Sequence, residues 1–424
     1  MDVYSVGEIR RRGAPSVAKE LKAGSERALA SLRNVRSRSF NSLTDAQKNF
    51  LGEVKGKIKT ELKSVAAEAE EFISTPHLLF RPMFMILAIG LPLLFPLFFI
   101  PLKILLLYIV SFLLWYVTLV AYFATEVAMK PPWYRTGLSL KAQPSYWKHC
   151  VHNPLEDLQL EFEDVEFQGA DGRTLRGWFV PVPDFVENKS REKIMIVCVH
   201  GAGRDRRAFL RHSEIFAEAG YPILMFDLSE HGLSDGQGLG FSYGRREKLD
   251  VLSAVRYLRK ARGAERVVVV GTSTGASSAI LAEGIYPGSI DAIIAENPFT
   301  RPADLFRLHL NETLKNYLSQ NQHHIMRRLT FWYFSRILLI RAGHSFRNTG
   351  AVDAVKNVKC PLFVLHGTSD EVVPISHGEA IYEAATCDVK AFWAAKDAIH
   401  CALFDKYPEE WKSRALNFLE QAVC

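Results

Sequence analysis

The sequence lacks paired cysteines: Cys150, Cys198, Cys360, Cys387, Cys401 and Cys424 stand singly, with no Cys-x-x-Cys step and no regular spacing. This pattern supports neither a zinc site nor a disulfide framework, and it fits a reducing compartment. A nucleic-acid recognition motif and a focused basic stripe are also missing. The formal net charge of +6 is scattered, densest near residues 10 to 38, and suits an anionic membrane surface rather than a nucleic acid. Between Pro82 and Ala124 charge itself is scarce, Lys103 being the sole charged residue there.

Lys103 divides two apolar runs of 21 residues each, 82 to 102 and 104 to 124. At 1.5 Å per residue each run reaches roughly 30 Å, the thickness of a bilayer's hydrocarbon core. Neither run has a polar face, which argues against a buried pair of core helices. Pro92, Pro96 and Pro101 kink the first run, so a hairpin, a re-entrant helix and two full spans all fit. Lys63 and Arg81 precede the block and Lys130 and Arg135 follow it, which places both flanks, and the domain beyond, in the cytoplasm. The expected organisation is an amphipathic basic helical region over 1–77, with Leu51, Val54, Ile58, Leu62 and Val65 at helical spacing, then a hydrophobic membrane anchor over 78–128.

What the rest of the chain has in quantity is short apolar runs alternating with helical stretches. From about residue 155 to 424 this rhythm predicts an α/β domain, a mostly parallel central sheet with helices on both faces. Leu158 to Phe167 and Thr174 to Val182 read as an opening β-hairpin across Gly169-Ala170-Asp171-Gly172. Ile194 to Val199, Pro222 to Phe226, Arg266 to Val270, Ala292 to Ala295, Pro361 to Leu365 and Val389 to Trp393 read as strands buried on both faces.

The chemistry sits at the ends of these strands. Gly271-Thr272-Ser273-Thr274-Gly275 follows one strand and precedes the helix-prone Ala276 to Gly284. Gly-x-Ser-x-Gly at such a turn holds a nucleophilic serine in a strained elbow, because a side chain at either glycine would strike neighbouring backbone. His200-Gly201-Ala202-Gly203 follows another strand, and the amides of Ala202 and Thr274 are the candidate oxyanion donors. His200 reads as structural, since it precedes that turn. Asp370, in a turn after the strand Pro361 to Leu365, is the candidate acid, with its neighbour Glu371 the alternative. His400 follows the last strand and is the candidate base. A serine hydroxyl is a poor nucleophile at neutral pH, so a neutral imidazole must take its proton, and a carboxylate must fix the imidazole's tautomer.

The order Ser273, Asp370, His400 and the surrounding motifs resemble the α/β-hydrolase superfamily. Over roughly 155 to 421 the chain is similar to its membrane-tethered, serine-aminopeptidase-like members. The resemblance rests on Asp171 to Pro181, the His200 turn, Asp227 to Gly236, the Ser273 elbow and the Asp370 and His400 loops. It implies the α/β-hydrolase fold, a lid insertion over about 300–359, and esterase, lipase or thioesterase activity with no metal or organic cofactor. Two departures stand out: Ser229 where relatives carry an arginine, and Ala398-Ile399 where they carry small, Gly-rich residues. His231 reads as structural. The apolar stretch His324 to Ile340 in the insertion either covers the site, which favours an acyl-chain substrate, or packs on the core. The expected substrate is an acyl ester or thioester, with membrane lipid as the other partner. The rival readings are a peptidase, for which Glu296 is the available carboxylate, an acyltransferase, and a catalytically silent membrane scaffold.

Overall fold

The computed structural model describes residues 101–130, 151–187, 189–315, 328, 330–337, 339–340 and 350–424. The expected 1–77 helical region and the first apolar run up to residue 100 lie outside these residues. The described helices are α1 (Leu102–Met129), α2 (Pro154–Leu158), α3 (Leu210–Glu218), α4 (Glu247–Ala261), α5 (Thr274–Ile285), α6 (Pro302–Lys315), α7 (Ala351–Ala354), α8 (Ser376–Ala384), α9 (Leu403–Lys406) and α10 (Pro408–Val423). The strands are β1 (Glu163–Gln168), β2 (Thr174–Val180), β3 (Ile194–Val199), β4 (Ile223–Phe226), β5 (Arg266–Thr272), β6 (Ala292–Glu296), β7 (Leu362–Gly367) and β8 (Lys390–Ala395). They form one sheet in the order β1-β2-β4-β3-β5-β6-β7-β8. β1 and β2 are antiparallel to their neighbours and the other strands run parallel. This is the mostly parallel α/β sheet that the strand pattern predicted, and the α/β-hydrolase fold that the resemblance implied.

Side chains alternate across a strand, so unbroken apolar runs face two cores. Val197, Val199, Val267, Val269, Ile293, Ala295, Leu362 and Val364 pack on one face with Val251 and Leu258 of α4, Ala276 and Ile280 of α5 and Ile381 of α8. Ile196, Cys198, Val268, Val270, Ile294, Phe363 and Leu365 pack on the other with Ile215 and Phe216 of α3 and Trp411, Phe418 and Leu419 of α10. The parallel strands therefore end together, and the loops that leave them carry the polar residues of interest.

The hairpin is shorter than its apolar pattern suggested. Strand pairing begins at Glu163; of the residues expected before it, Leu158 ends α2, Gln159 caps that helix at φ 59°, and 160–162 lead into the strand. Asn153 caps that helix by accepting from Glu156 N at 2.9 Å, with Pro154 in its first turn. This cap chemistry overrides the strand-like run. α1 begins at Leu102, beside Lys103, and its 103–123 stretch is the only one among the described residues long and apolar enough to cross a membrane. Its last turns join the catalytic unit: Ala121, Thr125 and Met129 are buried, and Met129 packs with Ala303 and Phe331.

A buried ion pair fastens β4 to the turn after β3. Asp227 receives Arg206 Nη2 at 2.7 Å and Nε at 3.1 Å, with the amides of Arg206 and Leu233 each at 2.7 Å. Arg206 thus takes the place beside Asp227, while Ser229 donates through its Oγ to Asp250 at 2.7 Å. Asp227→Ala strands a buried guanidinium, and the expected loss is about 3–5 kcal/mol of unfolding free energy. Urea denaturation of the purified protein measures it.

Candidate active site

The elbow depends on two absent side chains. A Cβ on Gly275 would lie 2.1 Å from Val199 O, and one on Gly271 would lie 2.6 Å from Ala276 N. With both clear, α5 starts directly against β3 and β5, and Ser273 is forced to φ 53° and ψ −115°. A non-glycine residue holds that conformation only where surrounding structure over-determines it. Here the Ser273 amide donates to Glu296 O at 2.8 Å, and Ser277 N donates to Ser273 O at 3.0 Å.

Three strand-end loops converge on the serine. His400 Nε2 lies 3.1 Å from Ser273 Oγ, and His400 Nδ1 lies 2.6 Å from Asp370 Oδ2. Asp370 is buried, and its Oδ1 accepts from Val372 N at 2.9 Å and Val373 N at 2.8 Å. Burial opposes its ionisation, yet hydrogen bonds from His366, His400 and Val373 N outweigh burial and hold the carboxyl well below the usual range. Burial likewise opposes protonation of His400, but the adjacent Cys401 sulfur and the Asp370 carboxylate prevail and raise its pKa. Glu371 is exposed, and among the described residues it is Asp370 that bonds the imidazole. The two candidate oxyanion amides both belong to residues lining the cavity around Ser273, and neither has a hydrogen-bond partner among the described residues.

His200 and His231 are structural. His200 donates from Nδ1 to Gly201 O at 2.8 Å and accepts Leu228 N at Nε2 at 3.0 Å. His231 donates from Nδ1 to Ser229 O at 3.0 Å and accepts Gly203 N at 3.1 Å. Burial pushes both pKa values down, His200 to about 4, so each ring stays neutral and ties the 200–204 turn to the loop after β4. Glu296, the carboxylate the peptidase reading called on, ends strand β6 instead of standing in a loop. It is buried, accepts Trp411 Nε1 at 3.1 Å, and burial raises its pKa.

Asn297 was not singled out in the sequence. It is fully buried at φ 49°, its Nδ2 donates to Asp370 Oδ2 at 2.6 Å, and its Oδ1 accepts Cys401 N at 3.3 Å. With Glu296 O holding Ser273 N, the end of β6 braces all three loops. The cavity, about 950 Å³, is also walled by Phe241, Tyr243, Phe299, Leu305 and Phe306. Leu305 and Phe306 come from the expected lid insertion, and Phe306 meets Phe334 at 5.3 Å between ring centroids. Phe331 is instead buried on Met129, so the insertion both lines the site and packs on the body.

Asn297→Asp is isosteric, tolerates the same backbone, and sets a second carboxylate against Asp370. Its added charge should stabilise the His400 imidazolium. Reaction of Ser273 with a fluorophosphonate is expected to slow by about tenfold or more, with the pH midpoint of reactivity moving upward. An unmoved midpoint in a folded variant would leave Asn297 a merely structural residue.

Comparisons with known proteins agree with this architecture. Residues 190–407 match the family described as serine aminopeptidase, S33. The chain is 25% identical over 278 residues to the Bacillus subtilis protein YqkD, covering 64% of this chain and 83% of that one. It is 27% identical over 200 residues to a lysophosphatidylserine lipase of Macaca fascicularis, 45% of each chain. An esterase of Pyrococcus furiosus shares the fold, with a TM-score of 0.50, 24% identity, and coverage of 64% of this chain and 94% of that one. The family match takes in half of the chain and every segment that delivers Ser273, Asp370 and His400, and on that ground the chain belongs to the serine aminopeptidase S33 family of the α/β-hydrolase superfamily.

Proposed function

We propose that this hydrolase is a membrane-anchored serine enzyme that cleaves a carboxylic ester or thioester of a lipid or acylated molecule. The observation that carries the reading is the relay Ser273–His400–Asp370, with contacts of 3.1 and 2.6 Å, at the surface of a cavity whose wall is largely aromatic and aliphatic. Ser273 Oγ attacks the acyl carbon while His400 Nε2 takes its proton. Asp370 holds the Nδ1–H tautomer and stabilises the imidazolium. The amides of Ala202 and Thr274 receive the oxyanion, a contribution of roughly 10²- to 10³-fold each. Collapse expels the alkoxide or thiolate, which takes the proton from His400. Water, deprotonated by the same imidazole, then releases the acid and restores Ser273.

The Phe241–Tyr243–Phe306 wall supports an acyl chain as the part of the substrate beside the serine. The lipase among the relatives supports a lipid substrate in the same direction. A peptidase has less support, because Glu296 is already bound to Trp411. The apolar stretch of α1 supports the anchor.

The detergent-extracted wild type is expected to label with a fluorophosphonate and to hydrolyse p-nitrophenyl esters with a preference for longer acyl chains. Ser273→Ala should abolish both, and Asp370→Asn should lower ester turnover by about 10⁴-fold. A folded wild type that fails to label would overturn the reading in favour of a binding scaffold. Because His400 acts as a base only when neutral and its pKa is raised, kcat/KM should climb with pH through a midpoint above the ordinary histidine value. Cys401→Ala removes the sulfur that favours the imidazolium and should move that midpoint down, as a pH–rate profile shows.

A further inference from the structure

The walls of the cavity fall into two groups on different elements. One is apolar: Tyr243 sits 4.6 Å from Phe241, 5.2 Å from Phe306 and 6.3 Å from Phe299 between ring centroids, and Phe299 packs with Leu305 and Val373. The other is polar and follows the 200–203 turn into α3: Arg204, Arg211 and His212, backed by Phe404. The two groups share no residue, and both border Ser273.

Within the polar group, Arg211 and His212 have binding capacity that is left unused among the described residues. Arg211 lies over the Phe404 ring at 5.0 Å and spends one N–H on Asp405, at 3.2 Å. A guanidinium has five N–H donors, so four are without a hydrogen bond among the described residues. The His212 ring is clasped by Phe209, Phe404 and Trp411 at 5.0, 4.4 and 4.7 Å, with Nδ1 enclosed and unpartnered. Nε2 has no hydrogen bond either, and it is the ring nitrogen left to meet a ligand in the cavity. Burial holds this imidazole neutral, with a pKa lowered to about 3, so it adds a hydrogen-bonding edge without adding charge. Arg204 and Arg211 both bring guanidinium groups to this end of the cavity. Glu371 stands on the other flank, next to Val372 and Val373, and Glu296 is bound to Trp411.

We infer that Arg211 and His212 form a head-group subsite for a phosphate or carboxylate carried on the alcohol portion of the substrate. This inference rests on the ester-hydrolase reading above. An ester held at Ser273 then places its acyl chain against Phe241, Tyr243 and Phe306 and its anion against the Arg211 fork. A half-buried guanidinium with free donors selects such an anion by charge-assisted, bidentate geometry, and it repels an ammonium in the same place.

The test compares two substrates of equal acyl length, a monoacylglycerol phosphate and the uncharged monoacylglycerol, with detergent-extracted full-length protein. Wild type should favour the phosphate by about tenfold or more in kcat/KM, chiefly through KM, and added salt should shrink that ratio. Arg211→Gln should bring the ratio near one. A second measurement needs no variant: octyl phosphate should protect Ser273 from a fluorophosphonate at about a tenth of the concentration of octanol that protects equally. Equal cleavage of the two esters, equal protection by the two alkyl compounds, or a ratio retained in Arg211→Gln overturns the subsite and leaves the hydrolase reading standing. A wild type that cleaves neither ester and does not label overturns both.

Discussion

The close approach of helix α5 to strands β3 and β5 is the constraint on which the rest of the site depends. It requires bare backbone at 271 and 275, since a methyl at 275 would sit inside the van der Waals radius of Val199 O. That approach forces Ser273 to positive φ and lifts its hydroxyl out of the sheet toward His400. It also leaves the Thr274 amide at the mouth of α5 with no partner inside the helix, where the helix dipole favours negative charge. Strain at one residue and an open donor at the next come from the same packing event. The local conformational cost, of order 1–3 kcal/mol, is offset by cores on both faces of the sheet.

A strained serine is useful only if its partners arrive at fixed distances, and these come from loops 97 and 30 residues apart in the chain (370 − 273 and 400 − 370). Strand β6 reconciles them. Glu296 O holds the serine amide, Asn297 Nδ2 holds Asp370, and Asn297 Oδ1 holds the amide beside His400. Asp370 is then surrounded by donors, so it remains ionised in spite of burial and can keep the imidazole in one tautomer. His200 and His231 perform a related task for the Ala202 turn. As neutral rings, each bridges a donor and an acceptor between two loops without introducing a charge near the oxyanion.

Much of this was legible in the sequence because its signals are local. Unbroken apolar runs mark strands buried on two faces, and Gly-x-Ser-x-Gly, Asp370 and His400 each follow such a run at once. The misreadings and omissions have a different physical origin. Residues 158–162 are apolar enough for a strand, but Asn153 and Pro154 begin a helix that ends at Gln159 in a left-handed turn. Asn297 and Arg211 look like ordinary polar residues, because what distinguishes them is contact with residues 73 and 194 positions away (370 − 297 and 405 − 211). His212 is conspicuous only by the partners it lacks, which no linear pattern records. Glu296 was expected just past a strand ending at Ala295, yet β6 continues through it by pairing with Leu365.

The fate of α1 links the apolar end of the site to the rest of the chain. Its outward residues, among them Leu107, Leu113 and Leu114, stay exposed, whereas its last turn is consumed by the catalytic unit. Met129 O accepts the amide of Phe241 at 3.1 Å, and the Met129 side chain packs on Ala303 and Phe331 with Tyr243 and Phe306 alongside. Thr118 and Tyr333 share a further hydrogen bond. Phe241, Tyr243 and Phe306 are the cavity wall. The helix end therefore backs the surface assigned to the acyl chain, and side chains packed at protein density shift together. The proposed acyl-chain wall and the last turn of α1 are in consequence one mechanical unit, whereas Arg211, on α3, and its partner Asp405, on α9, stand on other elements.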